Sequence, residues 1–187
     1  MWCTYLAVAD AEATAASAEA NGGMVIVPPM PIMELGTMAF LADPAGAAIG
    51  IWQAAEFPGT GVLGDPGTPA WFELHTRGYD ASLDFYRTVF DWDLHAMGDT
   101  PEFRYSTLGE GDGQLAGIMD ATAHLPEGVP SYWAVYFATD DTDATLARAV
   151  ELGGTIVQPA EDTPYGRLAV ATDATGTPFS LLGPNLA

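Results

Sequence analysis

The C-terminal third of the chain shows a strand pattern, then a helix pattern, then three more strand patterns. The aromatic and β-branched run from Tyr132 to Thr139 predicts a strand. Residues 140–143 supply acidic N-cap side chains, and apolar residues then recur at helical spacing from Ala144 to Leu152. The pair Gly153-Gly154 predicts the helix end, where a residue with positive φ is needed. Further strands are predicted over 155–158, 167–172 and 178–182, which gives the order βαβββ.

The N-terminal part of the chain repeats this order. Segments 2–53 and 133–183 align with a constant offset and one single-residue gap. The alignment brings Trp, Tyr, Asp, Gly-Gly, Pro, Gly, Asp and Gly into register, and includes the turns Asp43-Pro-Ala-Gly46 and Asp173-Ala-Thr-Gly176. An apolar strand pattern follows each turn. Because self-similarity of this kind marks duplicated structural units, we predict two copies of one unit.

A divergent third copy lies between them. Trp71–Thr76 predicts a strand, and Ala81–Phe90 predicts a helix with its apolar side chains on one face. Strands also fit 103–108 and 114–119, separated by a glycine-rich turn. We therefore predict an α+β protein of three tandem βαβββ units. They are called the first repeat (1–54), the second repeat (68–120) and the third repeat (131–187).

The charge of the chain narrows the possible partners. Asp and Glu outnumber Lys and Arg 25 to 5, which gives a formal net charge of −20. Such an acidic surface repels phosphate backbones and anionic lipids, so we expect neither nucleic-acid nor membrane-surface binding. The single cysteine, Cys3, excludes an internal disulfide framework. With neither a signal-peptide pattern nor an apolar run of about 20 residues, the expected location is the cytoplasm.

Three motifs together resemble a known superfamily. The strand Trp71-Phe-Glu-Leu-His-Thr76 is followed by a helix that ends Phe85-Tyr86-Arg-Thr-Val-Phe90-Asp-Trp92. Gly-Gly pairs end two of the predicted helices, and Asp-x-x-Gly turns precede two of the last strands. This combination resembles the vicinal oxygen chelate superfamily, which contains glyoxalases, bleomycin-resistance proteins and extradiol dioxygenases. The chain is most similar to its actinobacterial two-domain, glyoxalase-like branch.

The resemblance implies a specific domain arrangement. In that superfamily two βαβββ units pair into one open β-barrel around a cleft, so the number of units is normally even. The expected domains are therefore a complete one over 69–187, a linker over 57–68 and an unpaired half over 1–56. An unpaired half would expose apolar strand residues such as Ile49 and Ile51. Either two chains complete a barrel as a homodimer through the N-terminal unit, or the reading frame is truncated; both alternatives stay open.

The resemblance also implies where a divalent metal would bind. Superfamily enzymes place His, Gln, Glu or Asp ligands on the first and last strands of paired units. The corresponding positions here are Trp71, Ala134, Ala116 or Gly117, Ser180, Cys3 and Gly50. None is an imidazole or a carboxylate, so we expect no metal and no other cofactor. An unidentified divalent metal bound in another way is the alternative.

Two polar residues nevertheless fall on the predicted cleft face. Strand side chains alternate, so Trp71, Glu73 and His75 share one face. Glu73 and His75 are the candidate catalytic residues if the protein is an enzyme, either as an acid/base pair or as ligands of an atypical metal site. Alternatively, Glu73 bonds to a neighbouring strand or to Arg77, and His75 lies at the mouth of the cleft. The predicted ligand-binding residues are Trp71, Glu73, His75, Tyr105, Tyr136 and Ser180.

Two classes of function fit this pattern. The first is a metal-independent, bleomycin-resistance-like protein that binds a small, partly aromatic molecule in the cleft. The second is a glyoxalase-like lyase, isomerase or dioxygenase that uses Glu73 and His75. The sequence leaves open whether the chain catalyses a reaction.

Overall fold

The computed structural model describes residues 2–186, and its elements follow the βαβββ order three times. The first repeat contains β1(Tyr5–Ala7), α1(Ala11–Ala20), β2(Met24–Ile32), β3(Gly36–Ala42) and β4(Ala48–Ala54). The second contains β5(Pro69–Thr76), α2(Tyr79–Phe90), β6(Leu94–Thr100), β7(Phe103–Leu108) and β8(Ala116–Asp120), with a short 3₁₀ turn, Gly111–Gly113, before β8. The third contains β9(Tyr132–Ala138), α3(Thr142–Glu151), β10(Thr155–Thr163), β11(Gly166–Thr172) and β12(Pro178–Gly183).

The predicted α+β class with tandem βαβββ units is therefore confirmed, and its sheets are open. Strand β6 is the element that the sequence patterns did not locate. Its sequence, Leu-His-Ala-Met-Gly-Asp-Thr, is poor in β-branched and aromatic residues. Antiparallel pairing with β7 holds this segment extended, so tertiary context outweighs its weak local propensity.

The chain divides into two compact units, which are described separately. The larger unit contains Cys3–Gly59 and Glu73–Trp133. The smaller unit contains the described residues of Met1–Trp2, Thr60–Phe72 and Ala134–Ala187. The predicted domain boundaries, at 1–56 and 69–187, stay a prediction. Within residues 2–186, no helix has both the length and the apolar character needed to cross a membrane.

In the larger unit, the first repeat forms a four-stranded sheet in the order β1-β4-β3-β2, with β1 parallel to β4. Helix α1 packs on one face of this sheet. Ile49 and Ile51 on β4 are fully buried, so the expectation that they would be exposed is wrong. Other apolar side chains of the same sheet are exposed instead, among them Met24 and Ile26. The exposed apolar face predicted for this repeat thus consists of different residues.

The second repeat supplies the other part of the larger unit, with strands in the order β5-β8-β7-β6. Phe85 and Tyr86 of α2 are buried, and Trp133 Nε1 donates a 2.9 Å hydrogen bond to Tyr86 Oη. Trp133 is therefore a core residue. In the smaller unit, β10-β11-β12-β9 follow one another, and Leu146 of α3 packs on Leu181 in an apolar core.

Candidate functional site

Strand β5 places two polar side chains on the face opposite its buried residues. Leu74 and Thr76 are fully buried, whereas Glu73 and His75 are partly exposed. This is the alternation expected of a strand with one face against a core. The side chains of Glu73 and His75 keep only 12% and 14% of their accessible surface, respectively. The two groups therefore sit in a partly dehydrated environment where hydrogen bonds are stronger than in water.

Both oxygens of the Glu73 carboxylate have protein partners. His75 Nε2 lies 3.0 Å from Oε1, and the Tyr105 hydroxyl donates a 2.6 Å hydrogen bond to Oε2. A short O–H···O⁻ bond of this kind is charge-assisted and stronger than a neutral one. The structure thus brings together three of the residues predicted to bind a ligand.

The position of Tyr105 depends on a glycine in the strand between β5 and β7. On β8, Gly117 pairs with Glu73 on one side and with Thr107 on the other. Tyr105 lies two pairs further along β7, opposite Met119, so its side chain crosses β8 diagonally to reach Glu73. A Cβ atom at Gly117 would overlap the Tyr105 hydroxyl. The absence of a side chain at this position therefore permits the Tyr105–Glu73 bond.

Tyr132, which the sequence analysis did not select, completes the cluster. Its ring stacks on the His75 ring with centroids 5.0 Å apart and an interplanar angle of 6°. Burial, and after it the negative charge of Glu73, raises the pKa of the Tyr132 hydroxyl above its ordinary value. The alternation of β9 contained the signal, because Tyr132 shares its face with Ala134 and Tyr136. We call Glu73, His75, Tyr105 and Tyr132 the Glu-His cluster.

The geometry fixes what the cluster can do chemically. A neutral imidazole has one donor and one acceptor nitrogen, and a carboxylate can only accept. In a neutral His75, a proton on Nε2 would face Glu73 and leave Nδ1 as an acceptor for a ligand hydroxyl or N–H. Stacking on Tyr132 fixes the plane of the ring. His75 can therefore orient a polar group of a ligand or take a proton from it.

The remaining predicted ligand-binding residues belong to the smaller unit. Ser180 on β12 is buried and pairs in register with Tyr136 on β9. Trp71 lies on β5 and is partly buried. Their roles as ligand contacts stay predictions.

Arg167, on β11, has local ion-pair partners. Its guanidinium lies 2.8 Å from Asp143 and 2.8 Å from Asp162. The arginine holds the pKa of both carboxyls below their ordinary value. It thus pairs with neighbouring carboxylates.

The positions implied for metal ligands carry neither imidazole nor carboxylate side chains. Gly117 and Ser180 occupy last-strand positions, and neither supplies a carboxylate or an imidazole. Across the part of the chain that the structure describes, no three His, Cys, Asp or Glu side chains form a group that could hold a metal ion. Glu73 and His75 form a pair without a third such donor, so these residues do not fit a divalent metal site.

Comparison with known proteins identifies the family of this chain. A protein of Mycobacterium tuberculosis named "Putative glyoxylase CFP32" is 40% identical over 185 residues, covering 98% of this chain and 70% of its own. "Anthracycline biosynthesis protein DnrV" of Streptomyces peucetius is 37% identical over 195 residues, covering 97% of this chain and 65% of its own. The crystal structure of the Mn(II)-bound glyoxalase from Novosphingobium aromaticivorans superposes with a TM-score of 0.60. It is 16% identical and covers 96% of this chain and 61% of that chain, so it supports the fold alone.

The family model described as "Glyoxalase/Bleomycin resistance protein/Dioxygenase superfamily" matches residues 68–181. This match includes the second repeat, most of the third, and all four residues of the Glu-His cluster. Together with relatives aligned over nearly the whole chain, it confirms the resemblance found in the sequence motifs. The chain belongs to the glyoxalase/bleomycin resistance protein/dioxygenase superfamily.

Proposed function

We propose that the protein binds a small, partly aromatic molecule at the Glu-His cluster and does so without a metal ion. The observation that carries this proposal is the Glu73 carboxylate, which has one oxygen 3.0 Å from His75 Nε2 and accepts a 2.6 Å hydrogen bond from Tyr105 at the other. Each oxygen of the carboxylate thus lies beside a protein group. Among the residues that the structure describes, no third His, Cys, Asp or Glu side chain joins this pair to form a group that could hold a metal ion. The pair is held in one geometry before a ligand arrives.

The chemistry of the cluster points to a flat ligand that carries a hydroxyl or an N–H group. The acceptor Nδ1 of His75 suits such a donor, and the rings of His75 and Tyr132 suit an aromatic or conjugated body. The partial burial of Glu73 and His75 would strengthen a hydrogen bond to the ligand. A few fixed polar groups beside aromatic rings are typical of small-molecule sites.

The names of the relatives suggest where to begin the search. One relative is named for anthracycline biosynthesis and another as a glyoxylase. The first name points to a polycyclic aromatic compound, which matches the ring surfaces of the cluster. An anthracycline is therefore a rational first probe, with no implication that it is the natural ligand.

Proton transfer is the second candidate function, and the 3.0 Å contact between Glu73 and His75 favours it. A carboxylate that fixes the tautomer of a histidine is the arrangement found in many general bases. In this mechanism, Glu73 orients the imidazole ring of His75, and Nδ1 of that ring removes a proton from the substrate. The reaction would be of the lyase or isomerase type, with no step that passes through a metal.

Two substitutions test the proposal and separate the two functions. Doxorubicin, a fluorescent anthracycline, would be titrated with wild-type protein, Glu73→Gln and His75→Ala, at high salt to screen nonspecific attraction to the acidic surface. A lost hydrogen bond of about 1 kcal/mol predicts an affinity decrease of about fivefold in each variant. The matched control is Glu102→Gln, the same change at an exposed residue of the larger unit. Equal binding by all four proteins would contradict the proposed site.

If the chain is an enzyme, the same variants would behave differently once a substrate is known. Loss of a general base lowers turnover by about 10²-fold or more. A modest loss of affinity with no turnover in the wild type supports the binding protein. A large loss of turnover supports the enzyme.

A further inference from the structure

The segment between β8 and β9 consists of turns, and both of its ends are attached to the end of β5. At one end, the backbone N–H of Ala121 donates a 2.8 Å hydrogen bond to the carbonyl oxygen of Thr76. At the other end, the Ser131 hydroxyl accepts a 3.0 Å hydrogen bond from the backbone N–H of Arg77. Ala121 and Ser131 are both buried. We call residues 121–131 the β8–β9 loop; two consecutive residues of the chain hold its ends.

The Arg77 side chain holds the middle of this loop. Its Nη2 donates to the carbonyl oxygens of Leu125 and Pro126, at 2.9 Å and 2.7 Å, and its Nε donates to that of Val129 at 3.1 Å. These carbonyls lie outside any helix or sheet, so the arginine supplies partners that regular structure does not. A guanidinium presents its donors in a fixed planar fork, which allows one side chain to bridge three acceptors.

Tyr132 follows the β8–β9 loop directly, and it is 40% exposed. Burial alone therefore does not fix its ring. Its two neighbours in the chain are better anchored. Ser131 bonds to Arg77, and Trp133 is 7% exposed and donates a 2.9 Å hydrogen bond to Tyr86 Oη. The backbone path at Tyr132 thus has one anchor on each side, and the anchor before it is Arg77.

The same arginine is close in sequence to the other ring of the stacked pair. His75 lies on β5, two residues before Arg77. The stretch of chain that carries His75 and the stretch that carries Tyr132 are therefore joined through Arg77. The two rings stack at 5.0 Å with an interplanar angle of only 6°. Such a parallel arrangement requires that the two stretches keep one fixed spacing.

We propose that Arg77 is a positioning residue of the Glu-His cluster. It holds the β8–β9 loop against the end of β5, and Tyr132 is thereby kept in its stack on His75. Arg77 acts on the ligand only through these two rings. Where it concerns ligand affinity, this inference rests on the proposed function, but the stack itself can be measured without a ligand.

Proton NMR of the imidazole groups tests the effect of Arg77 on the stack. The ring current of Tyr132 shifts the ring-proton resonances of His75 as long as the two rings are stacked. Arg77→Met removes the three side-chain donors and keeps an unbranched aliphatic chain. We expect the His75 resonances to move toward their positions in Tyr132→Leu, where the stack is absent. The chain has only three histidines, and His95 on β6 is the internal reference.

Two further variants make this measurement specific. Ser131→Ala removes the acceptor of the Arg77 backbone N–H without a change of charge, and it should move the His75 resonances in the same direction. Arg87→Met is the matched control: the same change at an exposed arginine of α2, whose Nη2 lies 3.5 Å from the carbonyl oxygen of Leu94. It should leave the His75 resonances unchanged.

Ligand affinity gives the second readout. Arg77→Met should bind doxorubicin about two- to fivefold more weakly than the wild type, because Trp133 still anchors β9 and part of the stack persists. In a Tyr132→Leu background, the same change should cause no further loss, because the ring through which Arg77 acts has been removed. Such non-additivity is expected of residues that act as one unit.

Displaced His75 resonances in Arg77→Met and Ser131→Ala, together with this non-additivity, would support the positioning role. Unchanged His75 resonances in both variants would overturn it. Equal losses of affinity from Arg77→Met in the wild-type and Tyr132→Leu backgrounds would also overturn it, because Arg77 would then act by another route. A wild type that does not bind doxorubicin would contradict the proposed ligand site alone, since the resonances test the role of Arg77 without a ligand.

Discussion

The hydroxyl of Tyr105 donates to Glu73 Oε2 over a distance of 2.6 Å, although a whole strand separates the two residues. The bond crosses β8 above Gly117, where no side chain blocks it. Two consequences follow for the cluster. Glu73 is held in one rotamer, and its second oxygen remains directed at His75.

Gly117→Ala should therefore disconnect Tyr105 from Glu73. The added methyl group would overlap the Tyr105 hydroxyl, so the ring must move or the strand must shift. We expect a stability loss of about 1–3 kcal/mol from overpacking, together with weaker doxorubicin binding. Chemical denaturation and fluorescence titration measure the two effects. Gly113→Ala is the control, because a Cβ there meets nothing within 4 Å.

The stacked pair of His75 and Tyr132 gives a second prediction. Tyr132→Leu removes the ring, and an aromatic pair contributes about 0.5–1.5 kcal/mol beyond its buried area. We expect ligand affinity to fall about two- to tenfold, because His75 loses the surface that fixes its plane. Tyr132→Phe keeps the ring and should bind like the wild type. If Tyr132→Phe and Tyr132→Leu lost affinity equally, the hydroxyl of Tyr132, and not the stack, would be the important group.

A third prediction concerns the buried turn in the first repeat. Asp43 is 3% exposed and accepts 2.9 Å hydrogen bonds from the backbone N–H groups of Ala45 and Ala47. Burial raises the pKa of its carboxyl, although these hydrogen bonds act in the opposite direction. The folded state therefore binds this proton more tightly than the unfolded state does. The contribution of Asp43 to stability falls as the pH rises from the ordinary aspartate range through the raised folded pKa.

Asp43→Asn removes this titration and keeps an oxygen for the two backbone donors. The difference in unfolding free energy between wild type and variant should shift in favour of the wild type as the pH falls toward 4. Urea denaturation of both proteins from neutral pH to about pH 4 measures this difference, since other carboxyls cancel in the comparison. A difference that is constant with pH would show that Asp43 has the same pKa in both states.

Local patterns predicted the fold and the centre of the cluster well. Alternation along β5 was sufficient to place Glu73 and His75 on one face, because that strand has a buried side. The same rule on β9 predicts the face of Tyr132, although only Tyr136 was selected from it. Strand β6 was not located, since its residues have low strand propensity and depend on pairing with β7.

Contacts that depend on sheet register could not be predicted from sequence. Gly117 was recognised only as a position without a metal-binding side chain. Its effect on Tyr105 requires the register of three strands, β5, β8 and β7. Burial of Ile49 and Ile51 was missed for a related reason: alternation separates two faces but does not say which one a helix covers.

Chelation tests most directly the proposal that the Glu-His cluster binds its ligand without a metal ion. Purified protein would be stripped with a chelator, and doxorubicin affinity and the melting temperature would be measured before and after adding Fe(II), Mn(II), Ni(II) or Zn(II). A metal that binds the native state must raise the melting temperature. We predict unchanged affinity after stripping and no shift with any of the four ions. The opposite result would contradict the proposal: stripping abolishes doxorubicin binding, and one of the ions then restores it and raises the melting temperature.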